Sequence, residues 1–186
     1  CVAIFVIVFV AICIAIVQFS KKDLEEAKKG LEETQRKYGW VEKENIDVLV
    51  AKFNTQVMDN DSSSLNPAST DYLTESNNEY WYGLIEGVYL VVVPEKYTGD
   101  KTTETVKYTF LYVDKTSKYE SDAISYIKHL IKANNSEITD SEIDKLLEDA
   151  KTKANSGKTA NNGKGISIGY IENDEAYQYQ VLRLYK

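Results

Sequence analysis

The pattern of apolar and polar positions divides the chain near Ser20. Cys1 to Val17 carries no charge and no strongly polar side chain; Gln18 is the first amide and Lys21 the first charge. A run that is apolar on every face is not the amphipathic pattern of a surface helix. As a helix it reaches roughly 25 Å at 1.5 Å per residue, near the lower limit for a hydrocarbon core of about 30 Å. Val and Ile dominate it. They are mediocre helix formers in water, but in lipid a single segment satisfies its backbone only as a helix. A cleaved signal fits poorly, because Ile14 to Ser20 lacks small residues at alternate positions. A lipid-bearing Cys13 fits poorly as well, with Ile12 before it and apolar sequence after it. We read residues 1–19 as an uncleaved transmembrane anchor, and the start at Cys rather than Met as a sign that residues upstream are missing.

Residues 20–39 then read as a charged helical stalk. Ser20 and Asp23 resemble a capping pair, and Glu25–Lys29, Glu32–Arg36 and Glu33–Lys37 are i,i+4 pairs in the favourable order. Residues 40–186 form one globular domain, long enough for a real core. Its first helix is predicted over Glu44–Met58, with Ile46, Leu49, Val50, Phe53 and Val57 on one face. Asp59–Thr70 reads as a loop. Glu79–Pro94 reads as one strand, dense in aromatic and β-branched residues, with Gly83 and Gly87 marking a bulge or a close approach. Thr105–Val113 is a second strand, pairing antiparallel with the first and placing Val106, Tyr108, Phe110 and Tyr112 on one face. A helix over Asp122–Ala133 is expected to be capped by Ser121. A second, opened by the capping box Thr139–Glu142, buries Ile143, Leu146, Leu147 and Ala150. Ser156–Gly165 reads as loop, and Gly165–Glu172 with Ala176–Tyr185 as a hairpin around Asn173–Asp174. The predicted order is α-β-β-α-α-β-β: an α+β domain with a mostly antiparallel sheet and helices packed on one side.

Charge and cysteine placement narrow the function classes. The net charge of −7 lies entirely after Ser20, and both cysteines lie within the anchor. An acidic domain lacks the clustered Lys and Arg that a phosphate backbone needs, which argues against nucleic acid. Without cysteine the domain has no disulfide and no thiolate metal site. Fourteen tyrosines suit strands with one wet face, since each brings apolar area and a polar tip. Lys21, Lys22, Lys28, Lys29, Arg36 and Lys37 follow the span and taken alone place the domain in the cytoplasm. The layout of anchor, stalk and folded domain points the other way, to an extracytoplasmic domain, and that is the expectation adopted. Composition rich in Lys, Asn, Ile and Tyr fits a bacterial source.

No motif supplies chemistry. Gly157-Lys158-Thr159 matches the second half of a phosphate loop, but Thr152 stands where the first glycine belongs, and the segment runs from helix to strand. Nucleotide binding is therefore not expected. Asp59–Ser64 hints at a calcium loop, yet Ser64 and Thr70 occupy positions that need Gly and Glu. His129 is the only histidine, so no triad or histidine metal cluster can be built, and a partly exposed packing role is expected for it. No metal and no cofactor is implied. Two features remain as ligand-binding candidates: Tyr80, Trp81 and Tyr82 as an aromatic platform for sugars or peptides, and Glu86, a carboxylate inside an apolar strand where burial would raise its pKa. The expectation is a non-catalytic binding or assembly module of a bacterial envelope, held to the membrane through residues 1–19, with a protein or cell-wall polymer as ligand. A cytoplasm-facing regulatory domain, or a hydrolase working through paired carboxylates about 5–9.5 Å apart, are the alternatives.

Overall fold

A computed structural model describes residues 43–59, 65–69, 74–76, 78–161 and 163–183, all within one compact unit spanning Tyr38–Lys186. The expected anchor and stalk, and all but Asp59 of the expected calcium-like segment, lie outside the described residues. Among those described, no helix is long and apolar enough to cross a membrane.

The domain is α+β. Helix α1 (Ile46–Met58) precedes strands β1 (Thr74–Ser76), β2 (Glu79–Ile85), β3 (Val88–Pro94) and β4 (Val106–Asp114). Helices α2 (Glu120–Asn134) and α3 (Asp140–Lys153) follow, then β5 (Ala160–Asn161), β6 (Ile166–Glu172) and β7 (Ala176–Arg183). The strands form one antiparallel sheet in the order β1-β2-β3-β4-β7-β6-β5, with β4 at its centre.

Helix α1 buries the five residues that its spacing predicted. The capping box of α3 is present in both directions: Glu142 N–H donates to Thr139 Oγ1, and Thr139 N–H donates to the Glu142 carboxylate. The Lys164 ammonium, 2.8 Å away, and then the Thr139 donors hold the Glu142 carboxyl down to about 2. Helix α2 begins earlier than predicted. Its N-cap position is Tyr119, which makes no side-chain cap bond, and Ser121 lies inside the first turn.

The predicted single strand Glu79–Pro94 is a hairpin. Gly87, at φ +74°, turns the chain after Glu86, and a Cβ at Gly87 would meet Ser117 Cβ at 2.9 Å. An L side chain is therefore excluded twice, by backbone and by space. Gly83 does mark an irregularity, since the β2–β3 register shifts between Gly83 and Ile85. The found order, α-β-β-β-β-α-α-β-β-β, also adds β1 and β5, each too short to carry an alternating pattern of its own.

Pairing gives the sheet two unlike faces. Tyr80, Tyr82, Leu90, Val92, Leu111, Val113, Tyr179, Val181 and Ile168 lie on one face and join the buried residues of all three helices in a single core. Phe53 of α1 stacks on Tyr126 of α2 within it, ring centroids 6.2 Å apart. The Tyr126 hydroxyl donates to Asn66 O and accepts from Asn66 N–H, which pins residues 65–69 over the helices. Val91 and Phe110 are buried yet belong to the opposite face, outside that core.

His129 is more buried than its position beside the apolar stripe predicted. Burial, reinforced by the Lys132 charge and opposed by Asp140, lowers its pKa. The folded state therefore binds a proton less readily than the unfolded chain, so stability falls as pH drops through the unfolded value of about 6.5. Denaturant titrations between neutral pH and mild acid should show this decline, and His129→Gln should flatten it. Separately, Thr139→Ala should cost about 1 kcal/mol of unfolding free energy in the same assay through loss of the cap.

Candidate functional site

The pleat separates the predicted aromatic platform. Tyr80 and Tyr82 alternate with Trp81 along β2, so their side chains point to opposite faces. Both tyrosines are fully buried under the helices, at 0% exposure. Trp81 alone of the three reaches the opposite face, which the described helices leave free. Glu86 is not inside a strand at all. It sits in the β2–β3 turn with its side chain 81% exposed and 3.9 Å from the Lys118 ammonium. The burial expected of it is absent. The four candidates therefore do not form one site.

Trp81 instead meets rings from β3 and β4. Its ring centroid lies 6.0 Å from Tyr89, 6.0 Å from Phe110 and 5.5 Å from Tyr112. Tyr89 and Tyr112 stand opposite each other across the β3–β4 ladder, 6.2 Å apart, and Tyr108 adds a fifth ring 6.4 Å from Phe110. Trp81, Tyr89, Tyr108 and Tyr112 are half-buried, and they roof the buried Val91 and Phe110. Within the group of Trp81, Tyr89, Phe110 and Tyr112 the ring planes are inclined by 59° to 90°. This is the edge-on packing that the aromatic quadrupole favours. Towards β7 and β6 the same face turns polar and aliphatic, with Gln178, Gln180, Leu182 and the exposed Ile171.

Acidic groups border the rings. The Trp81 indole N–H donates to Glu79 Oε2 at 3.2 Å. Asp114 continues the Phe110–Tyr112 row, and its carboxylate accepts from Thr116 N–H and Oγ1, which keeps its pKa below the usual range. Burial, and then the charge of Glu79, raises the Tyr108 phenol. Burial, and then Asp114 and Glu175, does the same to Tyr112. Both phenols are neutral donors at physiological pH.

Sequence reasoning placed Tyr108, Phe110 and Tyr112 together on one strand face, but put Val106 with them, which belongs to the core beyond the register shift at Pro94, and it included neither Tyr89 nor Trp81. The signal was the turn. Once Glu79–Pro94 is folded back at Gly87, the register brings Tyr89 and Trp81 onto that same face.

A second concavity lies between α1 and the C-terminal end of α2. It is a groove of about 640 Å³ whose walls include Lys43, Lys52, Lys132 and Asn134, and whose floor holds Glu44 and Arg183. Arg183 donates to Glu44 at 2.6 Å with both side chains buried, and Lys52 holds the other Glu44 oxygen at 2.5 Å. The carboxylate is committed on both oxygens to cations of its own chain, so the groove presents a structural clamp rather than a free acid. Among the described residues no group of three His, Cys, Asp or Glu side chains is arranged to hold a metal ion.

Truncation should separate the roles of the neighbours on β2. Tyr82→Ala should cost about 3–5 kcal/mol in equilibrium denaturation, as a buried aromatic does, whereas Trp81→Ala should cost clearly less and leave the far-ultraviolet circular dichroism unchanged. No family model matches the chain, and neither a curated protein nor a solved structure matches it.

Proposed function

We propose that the chain is a membrane-anchored, non-catalytic binding module of a bacterial cell envelope, that its ligand is a protein, and that the helix-free aromatic face is where the ligand docks. One observation carries this reading: Trp81, Tyr89, Tyr108, Phe110 and Tyr112 gather on a sheet face that the core helices leave uncovered. Tyr and Trp are the residues that interfaces favour, because they bring large rigid area and a polar tip.

The tilt of the rings bears on the class of ligand. A wall polysaccharide stacks its sugar rings on aromatic planes laid roughly parallel to the polymer. Here neighbouring planes are inclined by 59° or more around Trp81. Rings inclined in this way give an uneven surface rather than a flat platform. That relief favours the protein ligand over the polymer. Glu86, exposed on a turn, and Glu44, clamped by two cations, give the carboxylate hydrolase no support. The anchor over residues 1–19 and the outward orientation rest on the apolar run and the layout of the sequence.

The test uses the full chain in intact cells. Residues 20–186 contain no cysteine, so Lys118→Cys introduces a unique exposed thiol outside the anchor. A membrane-impermeant maleimide should label it without lysis; labelling only after lysis would overturn the outward orientation. A photo-crosslinking residue in place of Tyr89 should trap a discrete protein, whereas the same residue at Glu148 on α3 should not. A polydisperse, glycosidase-sensitive product at position 89 would replace the protein ligand with the polymer.

A further inference from the structure

We infer that the segment docking on the aromatic face is basic, carrying Arg or Lys side chains that lie over the rings of Trp81, Tyr89 and Tyr112 and reach the carboxylates of Glu79 and Asp114. This rests on the reading of that face as the binding surface and adds the chemistry of the partner.

The pleat decides which charges the face displays. Along β2, Glu79 shares the parity of Trp81; along β4, Asp114 shares that of Phe110 and Tyr112. Among the described residues, these are the charged side chains that the register of β2, β3, β4, β6 and β7 places on this face, and both are acidic. Glu175 adds a third carboxylate close to the Tyr112 end. Among the described residues, a cation stands beside these rings at Lys107, 6.0 Å from the Tyr108 centroid at the far end of β4.

Rings and carboxylates select the same partner. The π faces of Trp and Tyr attract cations, most strongly when the cation is partly desolvated. Trp81, Tyr89 and Tyr112 touch one another in a triad, with centroids 5.5 to 6.2 Å apart. The carboxylates stand beyond the triad in different directions, Glu79 beside Trp81 and Asp114 beyond Tyr112. A guanidinium over the triad therefore has a π face beneath it and a charge partner at its edge. Beyond the rings, Leu182 and the exposed Ile171 offer apolar contact, and Gln178 and Gln180 offer amides. The matching segment alternates basic and apolar residues.

The same charges exclude the competing occupants. A second copy of the chain, paired through this face about a two-fold axis, would press Glu79 and Asp114 against acidic copies of themselves in a protein already at −7. An anionic membrane surface would be repelled for the same reason.

The test uses the full chain in phosphatidylcholine nanodiscs and a fluorescein-labelled dodecapeptide of alternating Arg and Leu, with a Gln/Leu peptide as the neutral control and empty discs as background. Fluorescence anisotropy should show binding of the Arg/Leu peptide that weakens as salt is raised. Glu79→Gln with Asp114→Asn should weaken it about tenfold, and so should Trp81→Ala, a change that leaves the charge untouched. Equal binding of the Gln/Leu peptide would overturn the basic partner while leaving the face as a binding surface. Binding undiminished by Trp81→Ala would reduce the effect to net charge and overturn it as well. No binding of either peptide would bring down both the inference and the docking face.

Discussion

The two-residue period of the pleat is the constraint on which this domain turns. Every second side chain of a strand points to the same face, so one segment builds two different surfaces at once. In β2 the sequence Tyr80-Trp81-Tyr82 sends two rings into the core and one away from it. In β4, Thr109, Leu111 and Val113 face the helices while Phe110 and Tyr112 face away. Three helices cover one face, and the other closes over itself with aromatic rings. The candidate surface is thus the necessary reverse side of the core rather than an addition to it.

That coupling sets where polar contacts must hold the chain. The segment before α1 is stitched to β4 by its backbone, with Val106 N–H donating to Glu44 O at 3.0 Å, and to β7 by the Glu44–Arg183 pair. Glu104, nearly fully buried, closes the loop between β3 and β4. Burial works to raise its pKa, but donors from the Thr98 backbone, the Tyr80 and Thr98 side chains and the Gly99 backbone outweigh it and hold the carboxyl low. Its backbone carbonyl accepts from Ile46 N–H at 3.1 Å. A buried charge is tolerable only when so surrounded.

Local signals that need only neighbours in sequence were legible. The stripe of α1, the capping box at Thr139 and the Asn173–Asp174 turn are encoded within a few residues, and each is found as expected. Two features were not. The β2–β3 turn is hidden in an apolar run that Gly83, Glu86 and Gly87 interrupt, and the space that excludes a side chain at Gly87 is set by Ser117, thirty residues on. His129 is buried by what packs against its helix, which the helical wheel alone does not show. The candidate site suffered the same loss. Tyr89 and Tyr112 become neighbours only through the ladder, so no window on the sequence contains the triad.

The preference for Tyr over Phe, fourteen against five, now has a physical place. A bare aromatic sheet face on a monomer invites aggregation. Here rings packed edge against face cover Val91 and Phe110 and partly cover one another, which lowers the exposed apolar area where none of the described helices lies on top. Hydroxyls on Tyr89, Tyr108 and Tyr112 give those rings polar tips, and Glu79 and Asp114 add charge at the border. On the proposed reading, the negative charge that argues against self-association on this face would also discriminate among partners, since it must be neutralised by whatever docks. On that reading, selectivity for a basic partner would follow from the same arrangement. By the same reading, a partner that covers the half-buried rings would gain contact area on a surface already ordered. Preorganisation of this kind reduces the entropy lost on binding, and it is what a rigid sheet face offers that a mobile loop does not.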